Sequence, residues 1–331
     1  MRKHWILAVG TASFLTTTAL ADVYPANSRY QKLDNISVKD HGRGKTPEEL
    51  VGAVANHAMG ALKNSSKKAE GTNKWADMLS RTEVDLYASK ERKPRFGVRT
   101  IQPLYETDDN VHTVFTQMSY FRESRFGTER STLNTGLGYR HLSWDDKLIL
   151  GTNAFFDYEW PYNHQRMSLG GEIKTSVFDL NYQEYFGLSA KHTAGDGFEE
   201  VPLGGREIEV GMPLPYLPTT RVYYRKYWWD KEIDGGGLRG DRIALEVKLP
   251  KGFTLEGGQW DDTKNGQRAF AMLRYRWIFG KESDEKIFSN KAFELTSVEK
   301  RRLERIRRSN TMVVDRASRS GRFTVRVVKT G

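Results

Sequence analysis

Asp157, Glu159 and His164 fall within eight residues of one another, and His141 lies on a neighbouring predicted strand. An acid and a histidine placed that way could perform general base chemistry. The same residues, at the ends of strands, suit a polar rim beside a headgroup layer, which is the commoner part for them. His192, Asp196, Glu199 and Glu200 gather in the longest predicted loop, but their spacing matches no zinc or calcium signature. "GDGFEEVPLGG", residues 195–205, is glycine-rich without joining a strand to a helix, as a phosphate cradle must. The chain has no cysteine, so thiolate sites and disulfides are excluded. The sequence therefore nominates no catalytic residue, no metal ligand and no cofactor, and the chain reads as a non-enzyme.

What positions these side chains is a period of two. From Glu83 onward, apolar and polar residues alternate in stretches near 83–90, 95–105, 111–121, 131–142, 147–158, 165–175, 177–188, 206–214, 219–229, 239–249, 252–260 and 268–279. The clearest is "RMSLGGEIKT", where Met167, Leu169, Gly171, Ile173 and Thr175 alternate with Arg166, Ser168, Gly170, Glu172 and Lys174. A soluble sandwich alternates as well, so the connections must decide. From the second strand they run alternately short and long, as "ETDDN" then "RESRFGTERS", and "SWDD" then "EWPYNHQ". Tight turns on one side and long loops on the other describe an outer-membrane barrel. Tryptophans 144, 160, 228, 229, 260 and 277 lie near strand ends, where an aromatic girdle would sit.

Composition agrees. Hydrophobic residues are only 38% and mean hydropathy is −0.65, which excludes helical spans but not strands, where every second residue suffices. Arg2 and Lys3 precede a mostly apolar run ending in "ALA" at 19–21, the pattern of a cleaved signal peptide. Thr46, Pro47 and Glu49 then start a helix by a capping box with proline at its first position. The expected organisation is a signal peptide over 1–21, a periplasmic segment with this helix over 22–82, a barrel over 83–280 and a tail over 281–331. The tail carries fourteen Lys/Arg against seven Asp/Glu. Without stacked aromatics in a secreted chain, that charge points to anionic surfaces or the barrel's own lumen and not to nucleic acid.

The last alternating stretch, "RAFAMLRYRWIFG", ends on Tyr275, Trp277 and Phe279. On the inward face we expect Glu172, Glu207, Glu209, Glu246, Arg221, Arg225, Arg274 and Arg276. In the tail, Thr296 or Ser297 can cap a short helix in which Val298, Leu303 and Ile306 stand among charges. Such a helix is marginal alone in water and needs a surrounding lumen.

"PLYETDDNVHTVFTQMSYFR", "LNTGLGYRHLSWDDKLILGTNAFFDYEW", "HQRMSLGGEI" and "EVGMPLPYLP" resemble the translocator β-domain of inverse autotransporters, the intimin and invasin family, over roughly residues 75–280. "RLERIRRSNTMVVD" is similar to the family's linker. The resemblance implies an all-β, twelve-stranded antiparallel transmembrane barrel that exports its own C-terminal segment, with a linker helix over about 297–309 inside the lumen. It implies that Arg301, Arg302, Arg305, Arg307 and Arg308 face lumen acids, and that Tyr275, Trp277 and Phe279 are the signal for the barrel-assembly machinery. The implied partners are outer-membrane lipid, that machinery and periplasmic chaperones, plus a host or bacterial surface ligand where a passenger exists. Only sixteen residues follow Asp315, fewer than the about 100 of an Ig-like domain, so passenger domains are expected to be minimal or missing. The alternative is a stand-alone channel plugged by its own tail.

Overall fold

The computed structural model describes residues 73–89, 92–230, 237–279 and 287–318. The expected signal peptide and the helix begun by Thr46 lie outside them. The chain forms two units, the second beginning at Leu79 and holding every strand. A helix, α1 (Asn73–Ser80), leads into β1 (Thr82–Ser89), followed by β2 (Arg92–Glu106), β3 (His112–Arg125), β4 (Thr128–Ser143), β5 (Leu148–Trp160), β6 (His164–Lys174) and β7 (Asp179–Gly187). After β8 (His192–Thr193) and β9 (Phe198–Pro202) come β10 (Gly205–Leu214), β11 (Leu217–Trp229), β12 (Leu238–Lys248), β13 (Phe253–Asp262) and β14 (Gly266–Arg276). The last strand is β15 (Val314–Ser318).

Twelve of these strands close an antiparallel barrel in the order β1-β14-β13-β12-β11-β10-β7-β6-β5-β4-β3-β2. The seam pairs Glu83 with Arg276 and Ser89 with Phe270, so no sheet edge is left for lipid to desolvate. Strand β5 shows why the sequence folds this way. Ile149, Gly151, Asn153, Phe155, Asp157 and Glu159 turn inward and are buried, whereas Leu150, Phe156 and Trp160 face out and are exposed. Leu137, Leu169, Met212, Ile243 and Leu255 continue this outward apolar belt, which suits hydrocarbon.

The near rim, where β1 begins and β14 ends, has short turns throughout. At the far rim two of the expected long loops are strand. "RESRFGTERS" is a hairpin whose turn is only Phe126 and Gly127, at φ 55° and 74°, the left-handed pair of a type I′ turn. In "EWPYNHQ", β5 runs to Trp160 and β6 starts at His164. Here the inward face is charged, so apolar alternation fades while the ladder continues. The long excursion after β7 holds β8 and β9, which form a three-stranded sheet with β15.

Candidate functional site

The lumen is built from charged side chains on the inward parity of the strands, and the tail runs through it. At the near rim the chain is tied to the turns. The Ser289 N–H donates to the Tyr216 carbonyl at 2.9 Å and the Val298 N–H to the Asp146 carbonyl at 2.6 Å. Val298 then packs against Leu142 and Ile149.

From there five tail arginines reach the acids of the wall, Arg305 and Arg307 sharing two of them. Arg301 reaches both Asp179 oxygens at 2.9 Å, and Arg302 reaches Glu106 at 2.6 Å. Arg305 meets Glu246 at 2.6 Å and Glu256 at 3.3 Å. Arg307 meets Glu209, Glu246 and Glu256 at 2.5, 2.8 and 3.2 Å. Arg308 forms a two-pronged pair with Asp157 at 2.9 and 2.7 Å, a geometry that suits guanidinium and carboxylate. The wall supplies its own cations to several of these acids and to Glu207 and Glu172, of which Glu207 meets the tail through Ser309 and Glu172 pairs within the wall. Arg225 serves Glu207 and Glu209, Arg274 serves Glu246 and Glu256, and Arg140 with Lys174 serves Glu172. Arg221 pairs with Asp179 at 3.1 Å.

The expected linker helix over 297–309 is a correction. The structure has one 3-10 turn, Glu299–Arg301, and then irregular extended chain to β15. Length is the reason. Arg302 touches Thr113 and Met312 touches Arg125, residues twelve apart on β3, or about 40 Å along a strand. Ten residue steps cover about 33 Å extended, a span that the side chains of Arg302 and Arg125 complete, but only about 15 Å as a helix.

Extended backbone forgoes helical hydrogen bonds, and lumen side chains replace them. Arg140 donates to the carbonyls of Arg302 and Glu304 at 2.6 and 2.7 Å, and Arg166 to that of Ser309 at 2.8 Å. Asn134 donates to the Asn310 carbonyl at 3.1 Å, and Arg125 donates to that of Met312. Gln117 accepts the Ile306 N–H at 2.7 Å, and Glu207 accepts that of Ser309 at 2.8 Å. Between the apolar contacts of Val298 and Val313, a third anchors the middle of the tail. Ile306 is buried with Ile101, Phe115 and Phe155, and Leu303 packs beside them. Glycines leave the two rings their space. A Cβ on Gly138 would stand 2.3 Å from Phe115, and one on Gly136 would stand 2.4 Å from Phe155.

At the far rim the tail becomes β15 and pairs antiparallel with β9, Val314 opposite Pro202 and Ser318 opposite Phe198. Glu200 on β9 is fully buried. It takes two bonds from Arg130 at 2.8 Å, one contact from His164 at 3.2 Å and one from Arg316 on β15 at 2.9 Å. Burial alone would raise its carboxyl, but hydrogen bonds from His164 and Arg130, with their charges, outweigh this and hold it at about 2.

Several sequence readings are relocated. Asp157, Glu159 and His164 turn inward at the far end of the barrel, where they are buried and bound by arginines or by Glu200 and are not exposed beside a headgroup layer. His141 stands at the opposite rim, its register partner Leu150 nine residues along β5 from Glu159, about 30 Å away, so no acid–histidine site forms from them. Parity could have found this, because Asp157 and Glu159 share the inward phase of Asn153. Arg276 is exposed at the strand end and not in the lumen, where the ladder stops. Trp277 and Phe279 lie beyond β14, while Tyr275 is in it, its ring 5.1 Å from that of Trp277. Glu106, Asp157, Asp179 and Glu256, which hold the tail, are absent from the expected lumen set.

The family model for the inverse autotransporter β-domain matches residues 36–310. The chain is 26% identical over 308 residues to the inverse autotransporter adhesin YeeJ of Escherichia coli strain K12, covering 87% of this chain and 12% of that protein. It is 24% identical over 223 residues to the intimin of Citrobacter freundii, covering 64% and 23%, and 26% identical over 176 residues to the invasin of Yersinia enterocolitica, covering 52% and 19%. It thus spans under a quarter of the length of each. A solved structure titled "Unveiling the Mechanism Behind the in-meso Crystallization of Membrane Proteins" shares the fold, with TM-score 0.60 at 19% identity over 71% of this chain and 98% of that one. With a closed twelve-stranded barrel and a family match over most of its length, this chain belongs to the inverse autotransporter β-domain family of outer-membrane barrels.

Proposed function

We propose that the barrel carries its own C-terminal segment outward and holds it there, with the near rim in the periplasm and the far rim at the cell surface. The observation that supports this reading is the unbroken course of residues 298–318 through the lumen, near rim to far rim, with an arginine engaged at each level. The acids of the wall act as a ladder of binding sites for a cationic chain. The barrel-assembly machinery reads the end of β14, where Tyr275 faces out and Trp277 and Phe279 follow, after periplasmic chaperones deliver the chain following removal of residues 1–21. Whatever follows the linker is presented outside, where a host or bacterial surface ligand would meet it.

An epitope tag placed after Gly331 tests the orientation. Antibody should reach it on intact Gram-negative cells. Access only after the outer membrane is opened would refute surface display and leave a barrel plugged by its own tail.

A further inference from the structure

Four outward positions on adjacent strands form one row at the far rim. Arg206 is register partner to both Glu184 and Trp228, and Trp228 to Arg239. Two residues nearer the middle of the barrel, the row is Tyr182, Ile208, Lys226 and Asp241, and the next is Leu180, Val210, Tyr224 and Ile243. Over two such steps, about 13 Å of strand, the outer wall changes from an apolar belt to a charged row. That is the depth at which hydrocarbon gives way to headgroups.

A cavity of about 310 Å³ opens in this row, with Glu184, Arg206, Trp228, Asp230 and Arg239 in its lining. The Arg206 guanidinium lies 5.7 Å from the Trp228 ring centroid and the Lys226 ammonium 5.9 Å from it. Two other outward cations are neutralised in place, Lys226 by Asp241 at 3.8 Å and Arg122 by Glu129 at 3.3 Å. Among the described residues Arg206 and Arg239 stand within ion-pair distance of no carboxylate, although Arg206 is in register with Glu184.

We infer that this recess binds the phosphorylated sugar headgroup of a glycolipid in the surrounding leaflet. Two arginines with no ion-pair partner among the described residues supply the planar donors that a phosphate monoester takes. Glu184 and Asp230 would repel a bare phosphate but accept hydrogen bonds from sugar hydroxyls. The Trp228 indole offers an apolar wall to the ring, and acyl chains run down the Leu180, Val210, Tyr224 and Ile243 row. Assigning the leaflet as the outer one rests on the orientation proposed above. Binding in detergent does not, so the two readings can fail separately.

The test is native mass spectrometry of the full chain in detergent, with four probes: an acylated bis-phosphorylated glucosamine disaccharide, its dephosphorylated form, phosphatidylglycerol and inorganic phosphate. The phosphorylated glycolipid should bind on the order of tenfold more tightly than any other probe. The double variant Arg206→Ala/Arg239→Ala should weaken it by about a hundredfold, tenfold for each guanidinium removed, while Arg122→Ala leaves it unchanged. Equal binding of phosphatidylglycerol or phosphate, or an unaltered affinity in the double variant, would overturn the assignment. If the double variant does not fold, Arg206→Gln and Arg239→Gln singly, each losing about tenfold, decide the same point.

Discussion

Arg307 lies with its guanidinium carbon 3.5 Å from the centroid of the Tyr223 ring, while its nitrogens reach Glu209, Glu246 and Glu256. One tail residue thus bridges β10, β12 and β13 and rests on the face of β11. The three acids keep other cations when it leaves, Arg225, Arg274 and Arg242. Arg307→Met should therefore leave the barrel closed but loosen the tail, by about 2 kcal/mol, the net worth of a charged hydrogen bond whose acceptors keep other partners. Since the chain has no cysteine, a spin label on Ala317→Cys would report the tail alone. An unchanged spectrum would show that Arg307 does not hold it.

Gly138 and Phe115 carry a second prediction. A valine side chain in place of Gly138 would overlap the Phe115 ring, which must swing into the space of Ile306. Gly138→Val should cost the tail its buried apolar anchor, about 2–3 kcal/mol, whereas Ile306→Val should cost about 1 kcal/mol. Protease cleavage rates within 299–312, measured on both variants, check the ranking.

The tail's ion pairs with opposite walls place it across the pore. Removing 281–331 should raise single-channel conductance in planar bilayers, and removing only 319–331, which leaves every lumen contact named above, should not. Equal currents from the two would mean that the tail does not obstruct the lumen.

Glu200 sets the pH range of the far-rim sheet. Its folded carboxyl titrates at about 2 against an ordinary 4.5, so its contribution is full above about 4.5 and falls away as pH drops from there through 2. The Ala317→Cys label should stay immobile at about pH 5 and gain mobility between about pH 4 and about pH 2. Glu200→Gln should abolish that step. A transition at the same pH in the variant would assign it to another group.

The strands were legible because lipid outside and charge inside impose a period of two that the sequence writes directly, as in Met167 to Thr175. Where the inward face stays charged beyond the apolar belt, as from Glu123 to Arg130, the period loses its apolar half and strand looks like loop. The tail differs for another reason. "RLERIRRSN" carries helical propensity, but propensity is a weak prior, and the contacts that replace its helical hydrogen bonds come from Arg140, Arg166, Asn134 and Gln117, residues 140 to 190 positions away in the chain.

What the sequence determined by itself was therefore the barrel, its strand number, some of its inward acids and a basic segment to meet them. Which acid meets which arginine, the extended path that spans the pore, and the union of β15 with β9 were decided only by tertiary structure. Alternation fixes the face on which a side chain lies, a local property of strand geometry. Pairing across a lumen depends on closure and register around the whole sheet, which bring Asp157 and Arg308 together from 151 residues apart.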